Sequence, residues 1–215
     1  REAATLVFVC NPGNPTGEAI AVGDIERLAR RLHGKALLVV DAAYAEFADA
    51  GDGASLLAGH DNIVILRTLS KAHALAGARI GSVIASPSLI AMLKRCQAPY
   101  PLAQPAVQAA LAALAPQVLA RTRDAVANAR SERERLRRLL DDAPGLRCVY
   151  PSQGNFLLAR FVDAQAAFDA LLDAGVVVRD MRATPGLEDA LRISIGTPEQ
   201  NDRVLAAVAR QRRVA

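Results

Sequence analysis

Lysine is scarce in this chain. Of its 26 basic residues only three are lysines, Lys35, Lys71 and Lys94, so the placement of each is informative. Cysteine is equally sparse, and Cys10, Cys96 and Cys148 are odd in number and far apart, which excludes a disulfide framework. His33, His60 and His73 have no metal-ligand spacing among themselves or with the cysteines, so no metal centre is expected. No apolar run reaches membrane-spanning length and no secretory signal is visible, so the expectation is a cytoplasmic protein with no membrane partner. A net charge of +4 argues only weakly for nucleic acid. The densest basic run, "ARSERERLRRLL" at 129–140, interleaves Glu132 and Glu134 with its arginines, and no aromatic side chain stands among them to stack on bases. Leu136, Leu139 and Leu140 recur there at helical spacing, so the run reads as a solvated helix face and no nucleic-acid partner is expected.

What is present is a globular composition, 52% hydrophobic and 22% charged over 215 residues, enough for one large domain or two small ones. The chain opens "REAATLVFVC", without methionine and almost directly in a strand, which suggests a piece of something longer. "TLVFVC" at 5–10, "ALLVV" at 36–40 and "IVIL" at 63–66 are short apolar runs. The second is apolar on both parities, as in a strand buried on both faces of a parallel sheet. "GSVIA" at 81–85 is a weaker fourth strand, and Ile25, Leu28, Ala29 and Leu32 mark a helix stopped at Gly34. Prolines 99, 101 and 105 interrupt helix formation, and a helical region follows from about Gln104 to Leu140. Beyond it, "LRCVY", "NFLLARF", "VVVRD" and "LRISIG" read as strands. Asp163 caps a helix running to about Ala174, and Thr197-Pro198-Glu199-Gln200 opens the last one. The alternation predicts an α/β sheet followed by a small α+β unit, divided inside the long helical stretch, at 1–125 and 126–215.

The first three apolar strands each end in polar residues: Asn11 and Asn14, then Asp41 and Tyr44, then Thr68, Ser70 and Lys71. The carboxyl edge of an open parallel sheet is where ligands bind. "NPGNPTG" carries neither the GxGxxG nor the P-loop lysine pattern, so the rim does not read as a nucleotide site. Lys71, beside an alanine and glycine run, looks buried, and a buried lysine is costly unless neutral, paired or covalently engaged. One cofactor suits the set. Pyridoxal phosphate needs a lysine for its Schiff base, a carboxylate opposite its pyridine nitrogen, and donors for its phenolate and phosphate. Lys71 would supply the amine, Asp41 the carboxylate, Tyr44 and Asn14 the phenolate donors, and Thr68, Ser70 and Arg79 the phosphate cradle.

"NPGNPTG", "DAAYAEF", "TLSKAHALAGARIG" and "LRISIGTPEQNDRVLAAV" together resemble the successive signature segments of class-II-like aminotransferases of the aspartate aminotransferase fold. Among these, the resemblance is nearest to the histidinol-phosphate aminotransferase branch, which "APYPL" at 98–102 also resembles. It implies a partial large-domain sheet plus the small C-terminal domain, with Lys71 as the cofactor lysine. It also implies that Arg192 binds a substrate α-carboxylate and Arg179 a substrate phosphate. The reaction implied is transamination between L-histidinol phosphate and 2-oxoglutarate, yielding glutamate, in histidine biosynthesis, with Lys71 shuttling a proton and a homodimer as the working form. Threonine-phosphate decarboxylase and other aminotransferases of the same fold are the rivals. The sequence departs from the family where Gly13 replaces a usual Asn, Ala42 a usual Glu and His73 a usual Phe. The resemblance also implies that the family's N-terminal arm and first part of the large domain are missing, and with them full activity.

Overall fold

The computed structural model describes residues 4–49, 51 and 53–210. Contacts divide the described residues into two compact units, one within 4–13 and 19–126 and one within 14–18 and 127–210.

The first unit is built on a sheet of β1 (Leu6–Cys10), β2 (Leu37–Asp41), β3 (Ile63–Thr68) and β4 (Gly81–Ala85), in that order. β1 to β3 are parallel, whereas β4 runs antiparallel to β3, so the sheet is mixed. Helix α1 (Val22–Leu32) lies between β1 and β2 in sequence and buries Ile25 and Ala29 against Leu38, Val40, Ile63 and Ile65. Residues of a strand alternate between faces. Leu38 and Val40 therefore meet α1 while Val39, also buried, faces the other way, so β2 is covered on both sides. Gly34 takes φ +69° just after α1, a left-handed conformation that glycine adopts without steric cost.

The helical region expected from Gln104 to Leu140 is two helices, α3 (Gln104–Ala113) and α4 (Pro116–Asp141). Pro116 has no N–H to continue α3 and its fixed φ suits a first helical position. A further helix, α2 (Pro87–Cys96), has no counterpart in the sequence expectation, although Ser86-Pro87 is a start signal of the same kind.

The second unit holds an antiparallel sheet in the order β5 (Leu146–Val149), β6 (Phe156–Phe161), β8 (Ala190–Ser194), β7 (Arg179–Asp180). Helices α5 (Ala164–Asp173) and α6 (Pro198–Ala209) and the end of α4 cover one face. Leu136 and Leu140 pack there with Leu157, Ala159, Phe161, Leu171, Leu191, Ile193, Val204 and Val208. Both predicted caps are made: Asp163 accepts the Ala166 N–H, and Thr197 and Gln200 form a reciprocal capping box. "VVVRD" is a strand only at its last two residues; Val177 is 84% exposed and has no strand partner to pack on.

Candidate active site

Parallel register brings the polar strand ends of the first unit to one edge. Cys10 pairs with Asp41, and Asp41 with Leu66, so Thr68 stands two residues further along the same rim. The half-buried Asp41 accepts the Ala43 N–H at 3.1 Å, which turns the chain sharply after β2. That turn brings in Tyr44, which is buried at the start of the short 3₁₀ turn Ala45–Phe47. Lys71 Nζ lies 5.1 Å from the centre of the Tyr44 ring, within cation–π range. Lys71 itself is exposed, not buried as its neighbours suggested. The run that looked apolar consists of side chains too short to cover it, and Ala76 and Gly77 are themselves exposed.

Thr68 Oγ1 and Ser70 Oγ are hydrogen-bonded at 2.8 Å, and Ser70 N–H donates to Thr68 Oγ1 at 3.1 Å. The two hydroxyls thus share one small polar patch at the end of β3. Arg79 sits at φ +55°, a left-handed conformation unusual for a side chain of its size, and donates to the Ala76 carbonyl at 3.2 Å. Cys10 belongs to this edge too, although nothing in the sequence singled it out. Burial pushes its thiol pKa up and the Asp41 charge adds to the rise.

The second unit gathers the remaining candidates, Asn14, Arg179 and Arg192. Leu191 and Ile193 point into the core, so Arg192 between them must face the other side of the sheet. There its guanidinium stacks 4.9 Å above the Phe156 ring and donates to Asn14 Oδ1, while its Nε is buried without a partner. Arg179, on β7, is directly opposite Arg192 in the antiparallel register. Side chains opposed in this way lie on the same face, and like charges there destabilise the pair unless an anion offsets them. The 14–18 segment is held in this unit by Gln153 N–H donating to the Gly17 carbonyl at 2.7 Å. Phe156, which supports Arg192, was missed by sequence reasoning; its signal was the same strand parity that places Arg192.

Six of the expected residues, Asp41, Tyr44, Thr68, Ser70, Lys71 and Arg79, therefore belong to one edge of the first unit. Asn14 joins Arg192 in the second. Among the described residues no group of three or more His, Cys, Asp or Glu side chains suits a metal ion, and no helix is long and apolar enough to cross a membrane.

Residues 1–208 match the family described as aminotransferase class I and II. The histidinol-phosphate aminotransferase of Stenotrophomonas maltophilia (strain R551-3) is 61% identical over 212 residues, covering 99% of this chain and 58% of that protein. A crystal structure of histidinol-phosphate aminotransferase from Sinorhizobium meliloti in complex with pyridoxal-5'-phosphate superposes with a TM-score of 0.85 at 32% identity, covering 97% of this chain and 57% of that one. L-threonine-O-3-phosphate decarboxylase from Porphyromonas gingivalis superposes with a TM-score of 0.83 at 25% identity, covering 94% and 62%. The chain thus spans less than two thirds of the length of each of these relatives.

Proposed function

The chain belongs to the class I and II aminotransferase family, and from that premise we propose that it carries the lysine-bearing part of a pyridoxal-phosphate enzyme that transaminates L-histidinol phosphate with 2-oxoglutarate in histidine biosynthesis. The observation that carries this proposal is the single rim at which Asp41 and Thr68 end adjacent strands and Tyr44, Ser70 and Lys71 follow them.

The donor set fits the cofactor. Asp41 would face the ring nitrogen, Tyr44 the phenolate oxygen, and the Thr68–Ser70 patch with Arg79 the phosphate. When bound, the cofactor supplies an aldehyde carbon for the amine and a ring that accepts electrons. Asp41 would favour a protonated ring nitrogen, and the Tyr44 hydroxyl would orient the ring. Lys71 stands on an exposed turn beside the Tyr44 ring, and as the free amine it would accept and donate the proton at the amine-bearing carbon of the substrate. Arg192, held by Phe156 and Asn14, would take the α-carboxylate of 2-oxoglutarate or glutamate, and Arg179 opposite it the phosphate of L-histidinol phosphate.

We further propose division into a cofactor-binding domain at 1–125 and a small domain at 126–215, within a cytoplasmic homodimer of the whole protein. The test is an assay with L-histidinol phosphate and 2-oxoglutarate. Formation of glutamate with a keto product, lost in Lys71→Ala, supports transamination. Release of carbon dioxide from threonine phosphate, with no glutamate formed, would overturn it in favour of the decarboxylase chemistry of the Porphyromonas protein.

A further inference from the structure

A single carboxylate lies behind three segments of the rim. Glu46 follows Tyr44 by two residues, Arg67 immediately precedes Thr68, and His73 follows Lys71 by two. Arg67 Nη2 donates to Glu46 Oε1 at 2.8 Å, and His73 Nε2 lies 3.9 Å from the same oxygen. The Glu46, Arg67 and His73 side chains are only 18, 29 and 12% exposed. They line a cavity of about 400 Å³ with Ser82, Ile84 and Leu114. Glu46 Oε2 and His73 Nδ1 are buried there with no hydrogen-bond partner.

None of the three belongs to the proposed cofactor set. Desolvating a carboxylate is costly, and such a group is retained where its partners are held in fixed geometry. The loop after Ser70 needs such an anchor. Ala74 sits at φ +55°, its N–H donates to the Lys71 carbonyl at 3.0 Å, and the Leu75 N–H donates to the Leu69 carbonyl at 3.0 Å. This tight turn persists only if its surroundings hold it, and His73 is the side chain it sends toward Glu46.

We propose that Glu46 is a positioning residue for Lys71: through Arg67 and His73 it locks the β3 end, the Tyr44 turn and the lysine loop into one arrangement. It touches neither cofactor nor substrate and acts through its neighbours. The importance of the effect rests on the proposed role of Lys71, but the decisive measurement needs no cofactor.

Residue-resolved amide hydrogen exchange on the chain tests it, comparing the parent with Glu46→Ala, Glu46→Gln, His73→Phe and the Glu46→Ala/His73→Phe double variant. In Glu46→Ala, the Ala74 and Leu75 amides should exchange about tenfold faster while Val39 and Val40 in β2 keep the parent rate. Glu46→Gln keeps an acceptor for Arg67 and should show a smaller rise. His73→Phe fills the volume but loses the polar contact, so it should accelerate the loop alone and add nothing to Glu46→Ala. With pyridoxal phosphate and borohydride, labelling at Lys71 should fall several-fold in Glu46→Ala. Unchanged Ala74 and Leu75 exchange, a rise shared equally by Val39 and Val40, or full additivity of the two substitutions would overturn the proposal. Should Glu46→Ala not fold, His73→Phe and Glu46→Gln decide alone: unchanged loop exchange in both refutes it. Absence of labelling in the parent chain would count against the cofactor proposal only, and the exchange data would still decide this one.

Discussion

Arg192 and Arg179 are directly opposite on neighbouring strands, and two like charges so placed destabilise the pair unless an anion offsets them, which motivates the proposed role of Arg179 at a substrate phosphate. Arg179→Ala is therefore expected to leave folding intact and raise KM for L-histidinol phosphate about tenfold or more with a smaller change in kcat, since it would remove the proposed charge-assisted contact to the phosphate. Steady-state kinetics check this; an unchanged KM would remove Arg179 from the binding set. Gly17 is a second residue-scale constraint. It sits at φ +80° and a Cβ there would overlap Ser152 Oγ, so Gly17→Ala should destabilise by about 1–3 kcal/mol in denaturant unfolding. At this scale the sequence was informative about chemical type and less so about environment. Lys71 stood out because lysine is rare, and Asp41 and Thr68 because they end apolar runs. The exposure of Lys71 was not legible, because small residues contribute apolar character to a pattern while covering almost nothing. The Glu46–Arg67–His73 cluster was also hidden, since its members come from three segments whose charges each look like ordinary surface polarity.

Helix ends were the most legible elements, because a cap is a local event. Thr197→Ala breaks the capping box of α6 and should cost about 1 kcal/mol, seen as a lower unfolding midpoint. The break between α3 and α4 depends on one proline within an alanine-rich run, and the run's helical propensity masked it. Strand direction was not legible at β4, since apolar alternation is the same for parallel and antiparallel pairs. Beside β7, Arg182 donates to Asp180 from its side chain and its backbone, and holds that carboxyl pKa down at about 2. Because the folded carboxyl titrates below an unfolded aspartate, its contribution is complete above about pH 4 and drains away as pH falls toward 2. Thermal melting of the parent and Asp180→Asn should therefore differ at pH 6 and converge at the acid end of that window. A gap independent of pH would contradict the assignment. Asp180 is 42% exposed, so solvent screening keeps the difference small.

For the whole molecule, the two units differ in how completely they cover their sheets. The second buries a continuous core under α4, α5 and α6, and Leu140→Ala there should cost about 2–5 kcal/mol. In the first, β1 ends the sheet with Leu6 51% and Phe8 64% exposed. An apolar edge of this kind favours pairing with other chains. The isolated chain should associate as its concentration rises, and Phe8→Lys should weaken that association in sedimentation velocity. The α/β architecture and the small antiparallel unit were legible from alternating runs and caps, whereas burial depends on what each face meets and no single run encodes it. Lys71, at the edge of this sheet, is the amine proposed to engage pyridoxal phosphate. With only three lysines in the chain, borohydride trapping followed by peptide mass mapping tests it directly. Label confined to Lys71 and lost in Lys71→Ala is expected; label absent, or spread over Lys35 and Lys94, would contradict this assignment.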